Sequence, residues 1–442
     1  MSENPYYYSK INGKQVANDP HSVLLGTAAD DIIYGDAFAA LEAYGFAPQR
    51  IAGLQGDDLF EGNAGRFYGG AGDDVFVNNG VHIGYDTYDK AALAFGGLGN
   101  DTFYDYYGST DYYGGRGSDH FYSTIHTFDG DLDRVWLGRG NDKANVDFSH
   151  VSSASGLHPD GHSFFVQGGP GNDTLSLGAS LGGAPLQGDA DGVLDLRGAI
   201  HGEMQVNSAT VAGFENFEVY FRSSHLHKLI TGSGNDRVQY LGDNDWRTVK
   251  MTTLLGAGND YYIGAHSNQT ERVAGGPGND VLISFGASQG MHDHLFGGKG
   301  MDFLFVEGSS YHGTIMKGGP GADTFVLATD VEVRDFHPGK DHVAMELDPD
   351  MWNYSYDKRP VELLHLLHSF TDAMVKQDDD TAIVLQLPDD PYLTYARGDL
   401  RYDQQTGDFQ LRDEPGHDWH FYCHLDGAPH LSVDDFAYFG YF

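Results

Sequence analysis

The chain has 442 residues, with 61 glycines, 27 each of tyrosine and phenylalanine, and 64 Asp+Glu against 26 Lys+Arg, a formal net charge of −38. So acidic a chain is a poor partner for nucleic acid or an anionic membrane, since both need basic surface. Glycine-rich linkers and disordered acidic tails lack this aromatic load, so the glycines punctuate a folded, strand-rich core. The single cysteine, Cys423, excludes an intramolecular disulfide framework, and no apolar run is long enough to span a membrane.

Residues 1–23 read as an N-terminal extension. The first 18 carry three tyrosines and no apolar stretch of the kind an N-terminal signal peptide needs, which taken alone points to a cytosolic protein. A repeat then begins. Gly69-Gly70-Ala71-Gly72-Asp73-Asp74-Val75-Phe76 sets the pattern and Gly96-Gly97-Leu98-Gly99-Asn100-Asp101-Thr102-Phe103 repeats it. Further copies start at Gly114, Gly168, Gly275, Gly297 and Gly318, and variants with one glycine substituted start at Gly53, Leu137, Thr231 and Leu255. Gly26-Thr27-Ala28-Ala29-Asp30-Asp31 looks like an opening copy, and Gln187-Gly188-Asp189-Ala190-Asp191 a distorted one.

The glycines allow backbone angles closed to other residues, so the chain turns sharply and aims carbonyl oxygens inward. The sixth-position aspartate adds a short carboxylate suited to a hard cation. The apolar residues that follow start a short strand whose alternate side chains fill an interior. The candidate metal ligands are therefore Asp31, Asp58, Asp74, Asp101, Asp119, Asp142, Asp173, Asp191, Asp236, Asp260, Asp280, Asp302, Asp323 and Asp341. Joining them are the loop glycines Gly70, Gly72, Gly97, Gly99, Gly115, Gly117, Gly169, Gly171, Gly276, Gly278, Gly298, Gly300, Gly319 and Gly321. About ten Ca²⁺ ions would supply roughly +20 and remove over half of the self-repulsion.

These copies match the G-G-x-G-x-D-x-U-x pattern, with U a large apolar residue, and resemble the repeats-in-toxin (RTX) calcium-binding family over about residues 24–347. The resemblance implies an all-β, right-handed parallel β-roll with each ion held between loops of successive turns. Here one good loop recurs every 16 to 31 residues rather than in strict nonapeptide tandem. Two nonapeptides make about one turn, so this spacing stacks the calcium loops mainly along one edge, leaving irregular polar loops such as 264–272, 286–294 and 308–313 on the other. A gap at about 193–229 holds Val211-Ala212-Gly213-Phe214-Glu215-Asn216-Phe217-Glu218-Val219, which reads as calcium-free turns or a small insertion.

Beyond Asp323, Val333-Arg334-Asp335-Phe336-His337-Pro338-Gly339-Lys340-Asp341-His342-Val343 is similar to the closing turn of serralysin-type RTX proteins. Residues 348–442 then read as a small α+β cap. Residues 360–376, with Val361, Leu363, Leu364, Leu366, Leu367 and Phe370 apolar, have a helical period, and 381–387 reads as a strand. The terminal Leu431-Ser432-Val433-Asp434-Asp435-Phe436-Ala437-Tyr438-Phe439 resembles an uncleaved type I secretion signal; an ordinary last strand is the lesser reading, and one segment can be both in turn. The resemblance thus implies a secreted protein whose partners are calcium and the type I export machinery. Low cytosolic calcium would leave the repeats unfolded, and external calcium would fold them.

No HExxH motif occurs, so the serralysin protease activity does not carry over. The 23 residues before the repeats cannot hold the catalytic domain of RTX lipases and proteases. Gly178-Ala179-Ser180-Leu181-Gly182 and Gly286-Ala287-Ser288-Gln289-Gly290 fit G-x-S-x-G, but both lie between repeats rather than in a strand-turn-helix setting. His266, His292, His294 and His312 fall on the edge expected to lack calcium. His292-Asp293-His294 has the donors for a transition metal, though loop histidines are more often solvated. His417, His420 and His424 cluster near Cys423 without a recognised zinc spacing. Tyr104, Tyr106, Tyr107, Tyr112 and Tyr113 suit a stacked ladder better than a sugar-binding platform.

Three functions remain open. The favoured one is a non-enzymatic adhesin, surface-layer or extracellular-matrix component. The second is a polysaccharide- or ligand-binding module on the irregular edge. The third is a solenoid enzyme acting on extracellular polysaccharide, although no catalytic residues emerge. An ice-binding roll is disfavoured, because the residue between the loop glycines varies and no flat threonine face repeats.

Overall fold

The structure, a computed structural model, describes residues 9–16, 23–35, 50–62, 65–79, 92–107, 110–124, 133–147, 164–178, 191–206, 209–221, 226–240, 250–265, 270–285, 292–306, 313–327, 330–346, 367–369, 375–379, 382–386, 399–412, 418 and 420–439. The chain divides into two units, Met1–Phe221 and Arg222–Phe442. Each is a parallel β-roll in which every turn contributes one strand to each of two sheets.

In the first unit, one sheet stacks Val23–Leu25, Arg50–Gln55, Gly65–Ala71, Ala92–Leu98, Thr110–Arg116, Arg134–Arg139, Phe164–Gln167 and Ala209–Ala212 in parallel. The other stacks Ile32–Gly35, Leu59–Gly62, Val75–Asn79, Thr102–Tyr107, His120–Thr124, Lys143–Asp147, Thr174–Gly178 and Asn216–Phe221. The register keeps like positions together, so Phe60, Phe76, Phe103 and Phe121 form an inward ladder facing Ile51, Phe67, Ala94, Tyr112 and Val135. Phe76 stacks on Phe60 at 4.7 Å and on Phe103 at 4.9 Å between ring centroids. Strands one turn apart lie a single sheet spacing apart, and that distance also suits face-to-face rings.

The roll starts with a hairpin, Ser9–Ile11 and Lys14–Val16, whose first strand lies antiparallel to Ile32–Gly35. Its turn residue Asn12, at φ 50°, donates to Asp31 Oδ1 at 2.6 Å and accepts the Ile32 N–H at 2.8 Å. The edge of the first turn is therefore paired rather than open. Near the other end of this unit are the one four-residue helix among the described residues, Gly198–His201, and an antiparallel pair, Glu203–Val206 with Ala209–Ala212.

The second unit repeats the plan with Lys228–Gly232, Lys250–Gly256, Thr270–Pro277, His294–Lys299, Thr314–Lys317 and Val331–Val333 in one sheet. The other sheet stacks Arg237–Tyr240, Tyr261–Ile263, Val281–Ser284, Phe303–Val306, Thr324–Leu327 and His342–Glu346. Here the runs Val-Leu-Ile-Ser, Phe-Leu-Phe-Val and Thr-Phe-Val-Leu are buried along their whole length, so both faces of this sheet are covered. Continuous apolar runs are the sequence mark of such doubly buried parallel strands.

The helix expected over 360–376 is not found in the part of that span that is described. Leu367–Ser369 is a strand antiparallel to Phe436–Phe439, and Val375–Asp379 pairs antiparallel with Ala382–Gln386; residues 360–366 and 370–374 lie outside the described residues. The helical period of the leucines competes with an open sheet end, and pairing that edge prevails. The strand expected at 381–387 is present as Ala382–Gln386, inside an antiparallel run through Asp399–Asp403, Asp408–Arg412 and His420–Leu425. That run joins the roll through Val331–Val333, and Phe436–Phe439 adds in parallel to His342–Glu346.

Replacing Phe103, which is fully buried within the aromatic ladder, by alanine is expected to cost about 3–5 kcal/mol in the calcium-saturated protein. Denaturant titration followed by tyrosine fluorescence measures it; a loss under about 1 kcal/mol would mean the ladder is not a packed core.

Candidate functional site: two side-chain ladders along the glycine–aspartate edge

Every described glycine–aspartate loop leads from a strand of one sheet to a strand of the other, so these loops stack along one edge of each unit; residues 187–190 of the distorted copy lie outside the described residues. Thirteen of the fourteen expected aspartates, Asp31, Asp58, Asp74, Asp101, Asp119, Asp142, Asp173, Asp236, Asp260, Asp280, Asp302, Asp323 and Asp341, are buried at 2% exposure or less. Asp191 differs: it is exposed, in the turn before Val193–Asp195.

The buried aspartates are chained together. Oδ1 of Asp58, Asp74, Asp101, Asp119, Asp142 and Asp173 accepts the backbone N–H of the preceding loop's aspartate at 2.7–2.9 Å. The first unit's chain ends where Glu215 Oε2 accepts from Asp173 N at 2.9 Å. In the second unit Asp260, Asp280, Asp302, Asp323 and Asp341 do the same at 2.8–3.0 Å. One residue earlier runs a second ladder in the opposite sense. Oδ1 of Asp30, Asp57, Asp73 and Asn100 accepts the N–H of the equivalent residue in the following loop. Asn141, Asn235, Asn259 and Asn279 act likewise.

The second carboxylate oxygen finds a backbone donor in three loops and none in the other ten. Oδ2 of Asp31 accepts from Thr27 N, that of Asp236 from Gly232 N, and that of Asp341 from His337 N. In Asp58, Asp74, Asp101, Asp119, Asp142, Asp173, Asp260, Asp280, Asp302 and Asp323, Oδ2 is buried and has no hydrogen-bond partner. A buried charged oxygen without a partner costs several kcal/mol, so ten in register call for a positive counter-charge.

The surrounding backbone fits that charge. A Cβ built on Gly96 would meet Asp101 Oδ2 and lie 2.7 Å from the carbonyl oxygen of Gly114 in the next turn. A Cβ on Gly69 or Gly275 would likewise meet Asp74 or Asp280 and a carbonyl of the following loop. Gly97 and Gly99, at φ 120° and 129°, receive the carbonyls of Gly70 and Gly72 where a side chain would stand. Gly70, Gly72, Gly115, Gly117, Gly169, Gly276, Gly278, Gly298, Gly300 and Gly319 share the positive φ. Gly171 and Gly321 instead bridge in parallel to Gly140 and Gly300. Glycine is thus required so that carboxylate and carbonyl oxygens can share one space. No three His, Cys, Asp or Glu side chains converge among the described residues. A cation here would be held by a carboxylate and several backbone carbonyls, the donor set of a hard ion.

Burial pushes the Asp74, Asp101, Asp119 and Asp173 carboxyls up to about 7 and those of Asp260 and Asp302 to about 8. Those of Asp58, Asp280 and Asp323 rise to about 6, and Asp142 is raised as well. Loss of solvent is the main cause. Neighbouring carboxylates add to it in most of them, and the donated N–H partly opposes it.

Among the described residues, the other expected sites do not assemble. His292 Nδ1 lies 3.1 Å from Gly313 O and His294 stacks on Phe296, while Asp293 turns inward between them. His424 Nδ1 lies 2.8 Å from Asp408 Oδ1, whereas Cys423 is buried on the opposite face and His420 is exposed. His266, His312, His417 and both serines of the G-x-S-x-G matches fall outside the described residues. Of the tyrosines, Tyr104 stacks on Tyr122 at 5.0 Å and Tyr113 lies between Phe95 and Trp136, as a ladder requires. Tyr112 instead points inward and donates to Asp105 at 2.9 Å.

Sequence reasoning missed the fifth-position ladder, although the alternation of Asp and Asn before the ligand aspartate was there to read. It also missed Glu215 and Asn12, which no repeat marks, and a buried pair, Glu271 and Asp293, on the opposite edge. Glu271 accepts from Tyr262 and Ala265, and Asp293 from Ser284 and Glu271 N.

The family model of the RTX calcium-binding nonapeptide repeat matches the chain in 4 copies, with residues 165–180 matched, a span that takes in the loop of Gly168 to Asp173. No curated protein matches the chain. The chain therefore carries RTX repeats on a parallel β-roll, and these repeats bind Ca²⁺.

In a cation-free roll the loop carboxyls have folded pKa values above their ordinary 3.8. Their contribution is complete below that value and is lost as pH rises through about 6 to 8. With chelator present, the far-UV strand signal is expected to weaken between about pH 5 and 8, and saturating calcium to remove that dependence. A chelated protein with a constant signal across this window would contradict the argument.

Proposed function

We propose that this is a secreted protein whose roll, about residues 24–347, folds when calcium enters the glycine–aspartate edge after export. The ten unpartnered, buried Oδ2 atoms carry this reading, and they support a complement of about ten ions. The ligands are the thirteen buried aspartates together with carbonyls of the loop glycines. Asp31, Asp236 and Asp341 close the rows, and exposed Asp191 is the weakest member of the set. With −38 formal charge and no cation, stacked carboxylates repel, so a low-calcium compartment keeps the chain unfolded and competent for export. The acidic–aromatic C-terminus serves as the type I signal and, once outside, pairs as the strand Phe436–Phe439. Residues 333–343 act as a serralysin-like closing turn.

Outside the cell the roll works as a non-enzymatic adhesin, surface-layer or matrix component. The extent of repeat-built structure supports this, since the roll occupies most of the described chain. Light scattering of chelated protein during a calcium titration tests it: compaction followed by growth into large assemblies is expected. Compaction to a stable monomer would remove the assembly role and leave the calcium-folded roll.

Asp280→Ala tests the ligand assignment. Isothermal titration should show about one ion fewer, or a site weakened at least tenfold, with a local loss of amide protection around residues 275–285. Unchanged stoichiometry and affinity would take Asp280 off the ligand list.

A further inference from the structure

The first sheet of the first unit has a charge opposite to that of the chain. Its strands carry Arg50, Arg66, Arg116, Arg134 and Arg139, against only Asp111 and Glu203. Ile51, Phe67, Ala94, Tyr112 and Val135 point into the core, so Arg50, Arg66, Asp111 and Arg134 lie on the outer face together with Tyr68, Phe95, Tyr113 and Trp136.

The arginines differ in what balances them. Arg134 is satisfied internally: Nε and Nη2 each donate to Asp111 at 3.1 Å, and the guanidinium lies 5.6 Å from the Trp136 ring. Arg50 and Arg66 are direct register partners on adjacent strands, and so are Arg116 and Arg139. Like charges opposite one another destabilise a sheet. In a chain with 64 acidic residues, none of the described ones pairs with Arg50 or Arg66, and the Arg66 Nε–H is buried without an acceptor.

We propose that this face binds a polyanionic polysaccharide through its carboxylate or sulfate groups, with Arg50 and Arg66 as the central contacts. Guanidinium forks match planar or tetrahedral oxyanions in a bidentate fashion. Strand geometry puts the Arg50–Arg66 pair roughly 20–25 Å from Arg116–Arg139, a span for a polymer rather than a small anion. Nucleic acid fits less well. Base stacking needs open ring faces, whereas Tyr68, Phe95, Tyr113 and Trp136 stack on one another at 4.7–5.0 Å and 4–8°, presenting mainly their edges. Those edges and the arginines between them suit the hydroxyl and acid groups of a sugar chain. The central pair, Arg50 and Arg66, lies at the strand ends away from the calcium edge, whereas Arg116 and Arg139 stand between the glycines of two calcium loops, so the surface needs the folded roll.

The test uses full-length, calcium-saturated protein with carboxymethyl-dextran, dextran sulfate, neutral dextran and oligo(dT), measured by thermophoresis. Binding to one or both charged dextrans and not to neutral dextran is expected, weakening with salt. Which charged dextran binds more tightly distinguishes carboxylate from sulfate. Arg50→Gln/Arg66→Gln should weaken it at least tenfold, while Arg197→Gln, an arginine paired with Asp195, should not. Circular dichroism and the calcium isotherm, unchanged in the double variant, separate a lost contact from a lost fold. The proposal is overturned if the charged dextrans bind no better than neutral dextran, if the double variant binds like the parent, or if oligo(dT) is preferred at equal charge.

Discussion

Carboxylate stacked on carboxylate, turn after turn, is the constraint on which the rest of the structure depends. The roll brings each loop aspartate into register with the next, and Oδ1 is consumed in linking the turns. The remaining oxygen is buried and faces carbonyls, so the arrangement is self-repelling unless a cation enters. This makes calcium part of the fold rather than an ornament on it. It also explains why the chain tolerates so large a negative charge: much of the charge is placed where the ions go.

The same register that concentrates the charge also builds the core. One parallel step aligns Phe60, Phe76 and Phe103 on the inside and Tyr68, Phe95 and Tyr113 on the outside. Each turn therefore depends on its neighbours for both packing and charge, as in other solenoids. The ends need separate solutions. In the first unit Asn12 gives Asp31 Oδ1 the donor that a preceding loop would otherwise supply, and in the second the N–H of His337 satisfies Asp341 Oδ2.

The two units use the plan differently. In the first, the outer faces are half-exposed and carry the arginine and aromatic rows. In the second, one sheet is apolar and buried on both sides, with Tyr261, Val281, Phe303 and Val326 in one cluster. The repeat thus fixes the edge chemistry and leaves the sheet faces free to differ.

The sequence by itself determined the local elements: the glycine turns, the sixth-position aspartates, the strand after each loop and the parallel roll. It could do so because each depends on residues within one repeat, where backbone freedom and side-chain length are read directly. Only the tertiary structure decided which carboxylate oxygens find an N–H and which are left for a cation, because that depends on residues 16 to 31 positions away. It likewise decided that Leu367–Ser369 is a strand rather than part of a helix, since the partner edge lies some seventy residues further along the chain. It also decided that Arg50 stands beside Arg66, a pairing set by the length of one turn and by no feature of either residue alone.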